Sequence, residues 1–389
     1  MDFHLDRNVG LLGVAFLCIF FGYASVQQYL VLYFSEMGHT ELGFQSLILV
    51  YLFYGLFNPI SAIFVSKYGA KSCMICSSLF YSLFILTLLS KSVFLVFASS
   101  ILLGIAAAFL WTGQHSYLIR ASNKNLYGSN SGIFGALNAI GSTAGIIALG
   151  VLVSAFHYTL PFLIYSIFPL VGTALLLGIK DIRPKKKADP LNLLKKSLSS
   201  MTALRISTIW IVLSFVSGLM FGIIPLRIKA VFGIQYIGIL MALFYILPIF
   251  TAYLFGKMSD LRGRGGMVLF SYVLLISGIL SLYMSAQAMF LILGIFLLAL
   301  NSAMMGPVIM ALVGDISNEK NLEFLTSVFS TIQKVGILGA LILGQAYYND
   351  IASICIVSLM IALISFMAVF PLFRMKKEKI REMIGRETQ

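Results

Sequence analysis

The sequence contains little charge. Only 11% of its 389 residues are Asp, Glu, Lys or Arg, whereas 60% are hydrophobic and the mean hydropathy is +0.98. A soluble domain carries about 25% charged residues, so this composition excludes an ordinary water-soluble enzyme and a disordered chain. Four cysteines are too few for a disulfide scaffold, and no second pair or neighbouring His completes a zinc site around Cys73 and Cys76.

Acidic residues are the scarcest charged group. All fourteen fall in termini, loops or the ends of apolar stretches. Carriers driven by protons commonly use a buried Asp or Glu as a relay, so coupling through a carboxylate within the membrane is disfavoured. No phosphate-binding loop, nucleophile elbow or metal-ligand cluster occurs either, so we expect no enzyme, no cofactor and no metal.

Long apolar stretches fill most of the chain. About 20 apolar residues cross roughly 30 Å of hydrocarbon, and continuous runs favour helices over barrel strands. The sequence predicts an all-α membrane protein with about twelve transmembrane helices. These lie near residues 10–34, 43–66, 72–90, 93–118, 131–155, 159–180, 206–230, 236–256, 266–285, 287–313, 324–346 and 351–373.

The basic residues are unevenly distributed. If the N-terminus is cytoplasmic, 23 of the 27 Lys and Arg lie in inner segments, and the exceptions are Lys91, Arg227, Lys229 and Lys334. This asymmetry is the positive-inside pattern, which places both termini in the cytoplasm. It explains the net charge of +13 without a nucleic-acid partner. We expect an integral multi-pass protein of the cell membrane that is in contact with the lipid bilayer.

An internal repeat divides the chain into two halves. Ser-Asn-Lys-Asn-Leu at 122–126 returns as Ser-Asn-Glu-Lys-Asn-Leu at 317–322. Phe134, Asn138 and Gly141 correspond, at an offset of 195, to Phe329, Gln333 and Gly336. We therefore predict two pseudo-symmetric six-helix halves, 1–180 and 206–389 with its cytoplasmic tail. A basic cytoplasmic linker, 181–205, joins them and has the pattern of a short amphipathic helix.

Strongly polar residues are absent from the apolar cores of every third predicted span, namely the third, sixth, ninth and twelfth. Strongly polar groups are costly in hydrocarbon, so we expect them to face a bundle interior or a water-filled cavity. Hydrogen bonding between helices, or snorkelling of Arg227 to the interface, is the alternative. The candidate cavity residues are Gln27, Gln28, Tyr29, Asn58, Trp111, Gln114, His115, Asn138, Arg227, Asn301, Gln333 and Lys334.

Lys334 has the most informative position. Ten residues from Phe324, at 1.5 Å each, place it about 15 Å deep, near the bilayer midplane. Ser327, Ser330 and Thr331 share roughly its helical face. A cavity cation that attracts an anionic or carbonyl-bearing substrate is one interpretation, and a structural lysine that donates to helix-end carbonyls or amides is the other.

Several motifs carry a family resemblance. Two sets of six helices, a basic central loop, and the motif Gly256-x-x-x-Asp260-x-Arg262-Gly263-Arg264 between the eighth and ninth spans together resemble the major facilitator superfamily. More specific motifs resemble the uncoordinated-type (UNC) ion-channel regulatory protein branch of that superfamily. These are Gln-Gln-Tyr at 27–29, Ser-Leu-Ile-Leu-Val-Tyr at 46–51, Pro59, Tyr-Gly-Ala-Lys at 68–71 and Leu-Trp-Thr-Gly-Gln at 110–114.

The superfamily resemblance implies a cytoplasmic gating loop whose Asp and Arg latch one access state. The first copy of this loop has Ser66 at the position of the Asp and Ala70 at that of the first terminal Arg. Arg262 and Arg264 could instead serve only to fix the topology. The loop candidates are Lys67, Gly69, Lys71, Gly256, Asp260, Arg262, Gly263 and Arg264.

Two functions from different classes follow. The first is a secondary transporter of a small solute, anionic or neutral, that works by alternating access around a midplane site between the halves. The second, implied by the branch resemblance, is a non-transporting membrane partner that regulates or escorts an ion channel or receptor. Polar residues in the spans favour the transporter, whereas the incomplete first loop and the missing acidic relay favour the partner.

Overall fold

A computed structural model describes residues 7–122, 127–182, 201–262, 264–316 and 322–371. At some helix positions, among them 127–129, 201–206, 310–316 and 322–329, it describes the backbone alone. All the regular structure in these ranges is helical. The α-helices are α1 (Arg7–Glu36), α2 (Thr40–Tyr68), α3 (Ala70–Leu88), α4 (Val93–Ala121), α5 (Tyr127–Phe156), α6 (Thr159–Tyr165), α7 (Ile167–Leu177), α8 (Met201–Phe221), α9 (Ile223–Phe232), α10 (Ile237–Arg262), α11 (Arg264–Tyr283), α12 (Ala288–Ile316), α13 (Leu322–Tyr347) and α14 (Ile351–Val369).

The helices are long and apolar enough to cross a membrane. Within the described residues, ten spans meet the required length and hydropathy, and the bent pair Ser207–Phe221 and Ile223–Phe232 makes an eleventh if it is one span. The remaining predicted span is α13, a helix of 26 residues. The all-α prediction is therefore confirmed, and the protein is an integral multi-pass membrane protein.

Two predicted spans are interrupted by proline. The span predicted at 159–180 is broken at Ser166 between α6 and α7, and the span at 206–230 bends by 43° at Gly222 between α8 and α9. Pro169 and Pro225 are each the third residue after the break. A proline has no N–H and its ring clashes with the carbonyl four residues earlier, so a continuous helix is disfavoured at both places.

The chain divides into two compact units. Unit 1 is Met1–Ala188 with Ile237–Ala242, and unit 2 is Asp189–Tyr236 with Leu243–Gln389. In unit 1, α1 packs against α5 and α7, and α4 packs against α2 and α3. In unit 2, α8 packs against α13, and α11 packs against α12. The predicted boundaries of the two halves and of the linker stay a prediction, since residues 183–200 lie outside the description.

Several glycines bring helices into backbone contact, and two of them, one in each unit, correspond in the sequence repeat. A Cβ at Gly141 of α5 would overlap the carbonyl oxygen of Leu17 in α1, and a Cβ at Gly336 of α13 would overlap that of Ile211 in α8. Only a residue without a side chain permits so close an approach. The two glycines are the pair related by the 195-residue offset, so the sequence repeat corresponds to the same helix contact in both units.

Short turns connect the helices and cap their ends. Gly69 (φ 90°) ends α2 and directly precedes α3, and Gly233 (φ 96°) ends α9; both values favour glycine. Asp350 caps α14, where its carboxylate accepts bonds from the backbone N–H groups of Ala352 and Ser353 and from the Ser353 hydroxyl. The hydrogen bond from the Ser353 hydroxyl has the largest effect on this exposed carboxyl and lowers its pKa, and the bond from the Ser353 backbone N–H lowers the pKa further.

Candidate functional site

Consecutive candidates of α1 lie in the interior of unit 1. Gln27, Gln28 and Tyr29 are all buried. The Gln27 Nε2 donates to the Tyr51 hydroxyl of α2 at 2.7 Å. The Tyr29 hydroxyl lies so close to Gly150 of α5 that a Cβ there would be 2.5 Å from it. Gln27 therefore bonds to a neighbouring helix and Tyr29 packs closely against another, and a cavity-lining role for the three residues stays a prediction.

Hydroxyl groups join α2 to α4. The Thr112 hydroxyl donates to the Oδ1 of buried Asn58 at 3.2 Å and lies 2.6 Å from the Ser61 hydroxyl. The Ser61 hydroxyl in turn donates to the Asn58 carbonyl at 2.7 Å. Further along the pair, the hydroxyls of Ser46 and Ser100 are 2.7 Å apart. Asn58 is therefore part of a polar seam inside unit 1.

An aromatic cluster links α1, α4 and α5. The Phe16 ring meets Trp111 at 5.6 Å and Phe134 at 5.0 Å between centroids, both edge-on, and Phe20 lies 5.1 Å from Trp111. Such contacts contribute about 0.5–1.5 kcal/mol each beyond area burial. Trp111 is half-buried, whereas the three phenylalanines of the cluster are buried. The candidate Trp111 thus forms the partly exposed edge of this cluster.

Two candidate amides flank the cluster. Gln114 follows Trp111 by one turn and is buried, and Asn138 follows Phe134 by one turn and is half-buried. Among the described residues, neither the Gln114 Oε1 nor the Asn138 Oδ1 accepts a hydrogen bond. A buried acceptor left without a donor costs about 1–3 kcal/mol. Unit 1 therefore contains two amide oxygens that can accept further hydrogen bonds.

His115 differs from the other candidates of α4 because it is exposed. Its Nδ1 lies 2.8 Å from the Trp111 carbonyl oxygen one turn earlier, and its ring centroid is 6.1 Å from that of Trp111. The imidazole is thus turned back onto its own helix.

The first gating-loop copy is held by backbone contacts within unit 1. The Lys71 Nζ donates to the carbonyls of Leu177 (2.8 Å) and Ile179 (2.7 Å), just where α7 ends. The Tyr117 hydroxyl donates to the Lys180 carbonyl at 2.8 Å, and the Lys180 N–H donates to the Asn8 Oδ1 at 2.9 Å. We call these contacts the 177–180 tie. It satisfies helix-end carbonyls with a cation, which is favourable at a C-terminus.

The other residues of the first copy have simpler surroundings. Gly69 supplies the left-handed backbone turn, and a Cβ added to it would be 3.4 Å from the Asp181 carboxylate. Lys67 is exposed, with its Nζ 5.2 Å from the ring centroid of Tyr68. Ser66, at the position of the family's Asp, donates to the Ile63 carbonyl at 2.7 Å.

Replacing Lys71 with Met should destabilise unit 1. The substitution keeps the aliphatic stem but leaves two carbonyls without their charged donor, so we expect a loss of about 1–2 kcal/mol and a melting temperature lower by a few degrees. Thermal unfolding of the purified protein in detergent measures this change. Lys67→Met is the matched control, with a shift of less than about 0.5 kcal/mol expected for an exposed lysine. Equal melting temperatures for Lys71→Met and wild type would contradict a stabilising tie.

The second loop copy spans the junction of α10 and α11. Gly256, Asp260 and Arg262 belong to α10 and Arg264 begins α11, but their side chains lie outside the description, as does the whole of Gly263. An ionic latch at these residues stays a prediction.

Lys334 is buried within unit 2, with 7% of its surface exposed. Its Nζ lies 3.4 Å from the Oε1 of half-buried Gln333, its neighbour in α13. Ser330 and Thr331, half-buried, precede it by about one turn, whereas the Ser327 side chain lies outside the description. A buried ammonium beside an amide and two hydroxyl-bearing residues is a polar group that can donate to an anion or a carbonyl.

Asn301 and Arg227 bond to serines of their own unit. The buried Asn301 donates through Nδ2 to both the carbonyl (2.9 Å) and the hydroxyl (2.8 Å) of Ser271 in α11. The Arg227 Nε of α9 donates to the Ser285 hydroxyl at 3.0 Å, and Arg227 is half-buried. Arg227 is therefore held by a specific bond to Ser285, and both of its predicted roles, a cavity contact and snorkelling to the interface, stay predictions.

Sequence reasoning missed the hydroxyl partners of these candidates. Tyr51, Thr112, Ser271 and Ser285 each complete a bond to a candidate residue. Tyr51 and Thr112 lie in the motifs at 46–51 and 110–114, so those motifs contained a usable signal. No sequence signal distinguished Ser271 and Ser285, because single serines are common in apolar spans.

Two helical units, each with polar side chains buried among apolar spans, define a polytopic membrane protein of the transporter class. A family model described as "Major Facilitator Superfamily" matches residues 11–233 and 211–387. The chain belongs to this superfamily. Membership supports a transporter in general and leaves the substrate open.

Relatives with curated descriptions place the chain near one branch. It is 32% identical over 133 residues to the UNC93-like protein MFSD11 of Xenopus tropicalis, covering 33% of this chain and 30% of that protein. It is 28% identical over 135 residues to the UNC93-like protein 3 of Arabidopsis thaliana, covering 34% and 28% of the two chains. The matches thus span less than a third of the relatives' length. They confirm the resemblance to the UNC93-like branch.

Proposed function

We propose that this protein is a secondary carrier that moves a small solute across a membrane by alternating access. Superfamily membership supports transport, and burial of Lys334 carries the more specific part of the proposal. An ammonium group in a span is costly, and buried charges of this kind mark substrate or ion pathways. A protein that only escorts a partner has no evident need for it.

The substrate we propose is anionic or neutral, with a carbonyl or carboxylate group. Lys334 carries a buried ammonium group with three N–H donors, one of which bonds the Gln333 Oε1 at 3.4 Å. An ammonium group forms its strongest hydrogen bonds with carboxylate and carbonyl oxygens, so a solute that bears one of these groups matches its chemistry. The fourteen acids all lie outside the middle of the spans, so we propose uniport or coupling without a buried carboxylate.

Flux into proteoliposomes tests the carrier proposal. We expect purified protein to accumulate or equilibrate at least one anionic or neutral solute under imposed proton, sodium or potassium gradients, and Lys334→Met protein to do so much more slowly. Empty liposomes give the background rate. Absence of flux for every candidate, together with co-purification of a channel or receptor, would replace the carrier by the membrane-partner function.

One observation favours that partner function. The first loop copy has Ser66 where the superfamily has an acid, and its hydroxyl is bonded within α2. A protein with no acid at this position lacks one arm of the proposed ionic latch. Regulation or escort of another membrane protein is therefore our second candidate.

We also propose the cell membrane as the location, with both termini in the cytoplasm. The support is the excess of Lys and Arg in the segments that would be cytoplasmic. The halves are proposed to be 1–180 and 206–389, joined by the basic linker 181–205.

A further inference from the structure

A cavity lies at the end of unit 1 where α1 and α3 finish and α2 and α4 begin. Its volume is about 120 Å³, whereas one water needs only about 10–15 Å³. Its apolar lining includes Phe34 and Val96, both buried, and Phe97, half-buried. Two nitrogen-bearing side chains, His39 and Lys91, also line it, and both are exposed. A group of several atoms with an anionic end fits this mixture of apolar and basic contacts.

Lys91 is exceptional in the charge pattern of unit 1. The other Lys and Arg of unit 1 that the structure describes lie at the opposite helix ends; they are Arg7, Lys67, Lys71, Arg120 and Lys180. The turn from Leu89 to Ser92 holds Lys91 at φ 54°, a conformation rare for a residue with a side chain. The Ser92 N–H bonds the Ser90 hydroxyl at 3.3 Å, and the Leu95 N–H bonds the Ser92 hydroxyl at 3.5 Å. The lysine therefore projects from an ordered turn.

The backbone at the cavity also favours an anion. His39 immediately precedes α2, and Lys91 lies one residue before the N-cap of α4. Both helices begin at the cavity, and a helix N-terminus carries a partial positive charge. The His39 side chain makes no capping bond, and its imidazole has an N–H donor in either charge state. The acids nearest in sequence, Glu36 and Glu41, are not among the residues that line the cavity.

We infer that this cavity binds a phosphate group, held by Lys91 and His39 above an apolar floor. The chemistry suits a phospholipid headgroup, because the exposed side chains of Val93, Phe94 and Leu95 continue the apolar surface beside it. A free phosphate ion has the same anionic chemistry but no apolar group that could contact this surface. The two sources are separated by experiment.

The test measures binding to the full-length, delipidated protein in detergent by native mass spectrometry. One arm titrates phosphatidylglycerol, with phosphatidylcholine as the reference lipid, and the other titrates inorganic phosphate. We expect Lys91→Gln to weaken first-site binding of phosphatidylglycerol about five-fold, the effect of one lysine charge at an anionic surface. His39→Gln should weaken it to a smaller degree, and Lys91→Arg should retain it.

Two further variants separate the cavity from general surface charge. Lys180→Gln removes an exposed lysine at the other end of unit 1 and should leave binding unchanged. Met37→Trp fills the cavity, whose lining includes Met37, but keeps both basic residues, and should weaken binding. If Lys91→Gln weakens binding of phosphatidylglycerol alone, the cavity is a lipid site. If it weakens binding of inorganic phosphate, the cavity is an ion site. Equal effects of Lys91→Gln and Lys180→Gln, or no effect of Lys91→Gln in either arm, would overturn the inference.

Discussion

Replacing Lys334 with Met is expected to weaken the response of the protein to its solute far more than it changes the stability of the unliganded protein. A charge-assisted hydrogen bond contributes about 1.5–3 kcal/mol, so binding should weaken about 10- to 100-fold. The unliganded protein loses the bond to the Gln333 Oε1 but no longer buries an ammonium group, and because these effects oppose each other its melting temperature should change little. The measurement is the shift in melting temperature across a panel of anionic and neutral solutes.

Controls for Lys334 distinguish its charge from its bulk. Lys334→Arg retains a cation and should keep a measurable solute response. Lys229→Met removes a half-buried lysine from the last turn of α9 in the same unit and should leave the response intact. If Lys334→Met protein is still stabilised by every solute that stabilises wild type, Lys334 is a structural lysine and the proposed site is wrong.

Gly141→Ala and Gly336→Ala should each strongly destabilise the unit that contains the glycine. The new methyl would overlap the carbonyl oxygen of Leu17 in one case and of Ile211 in the other. Backbone cannot rotate away as a side chain can, so α1 and α5, or α8 and α13, must move apart. Overpacking costs about 1–3 kcal/mol or more, which exceeds the roughly 1 kcal/mol that Ala gains over Gly in a helix.

Both glycine variants have matched controls in the same helices. A Cβ at Gly135 of α5 meets nothing within 4 Å, and one at Gly339 of α13 meets only Phe215 at an ordinary 3.8 Å. Gly135→Ala and Gly339→Ala should therefore be neutral or slightly stabilising. Thermal unfolding in detergent compares the four. Similar melting temperatures for each glycine variant and its control would show that these close contacts do not limit helix packing.

The architecture could be predicted from the sequence because membrane helices leave strong signals. An apolar run such as 93–118 is long enough to span hydrocarbon, and the structure has α4 at Val93–Ala121. The breaks at Ser166 and Gly222 were not predicted. Pro169 and Pro225 lie close to them, but Pro59 and Pro248 lie inside continuous helices, so a proline alone does not identify a break. Hydropathy averages over about 20 residues, so a local interruption by one proline does not change the average.

The candidate site was less predictable because a sequence does not reveal direction within a helix bundle. Asn301 and Gln27 were predicted to line a cavity, and each donates to a neighbouring helix of its own unit. Polar residues in spans bind either a neighbouring helix or a solute, and both functions need the same residue types. Lys334 was recognisable because its charge makes burial costly wherever the side chain points.

The tie of residues 177–180 also has a mechanical consequence. The segment that leads from unit 1 to unit 2 departs immediately after Lys180, whose backbone is bonded to α1 through Asn8 and to α4 through Tyr117. Lys71 adds α3 to the same anchorage. A pull transmitted along the connecting segment is therefore shared by three helices before it reaches α7. The C-terminal end of α7 can therefore move only together with α1, α3 and α4 of its own unit.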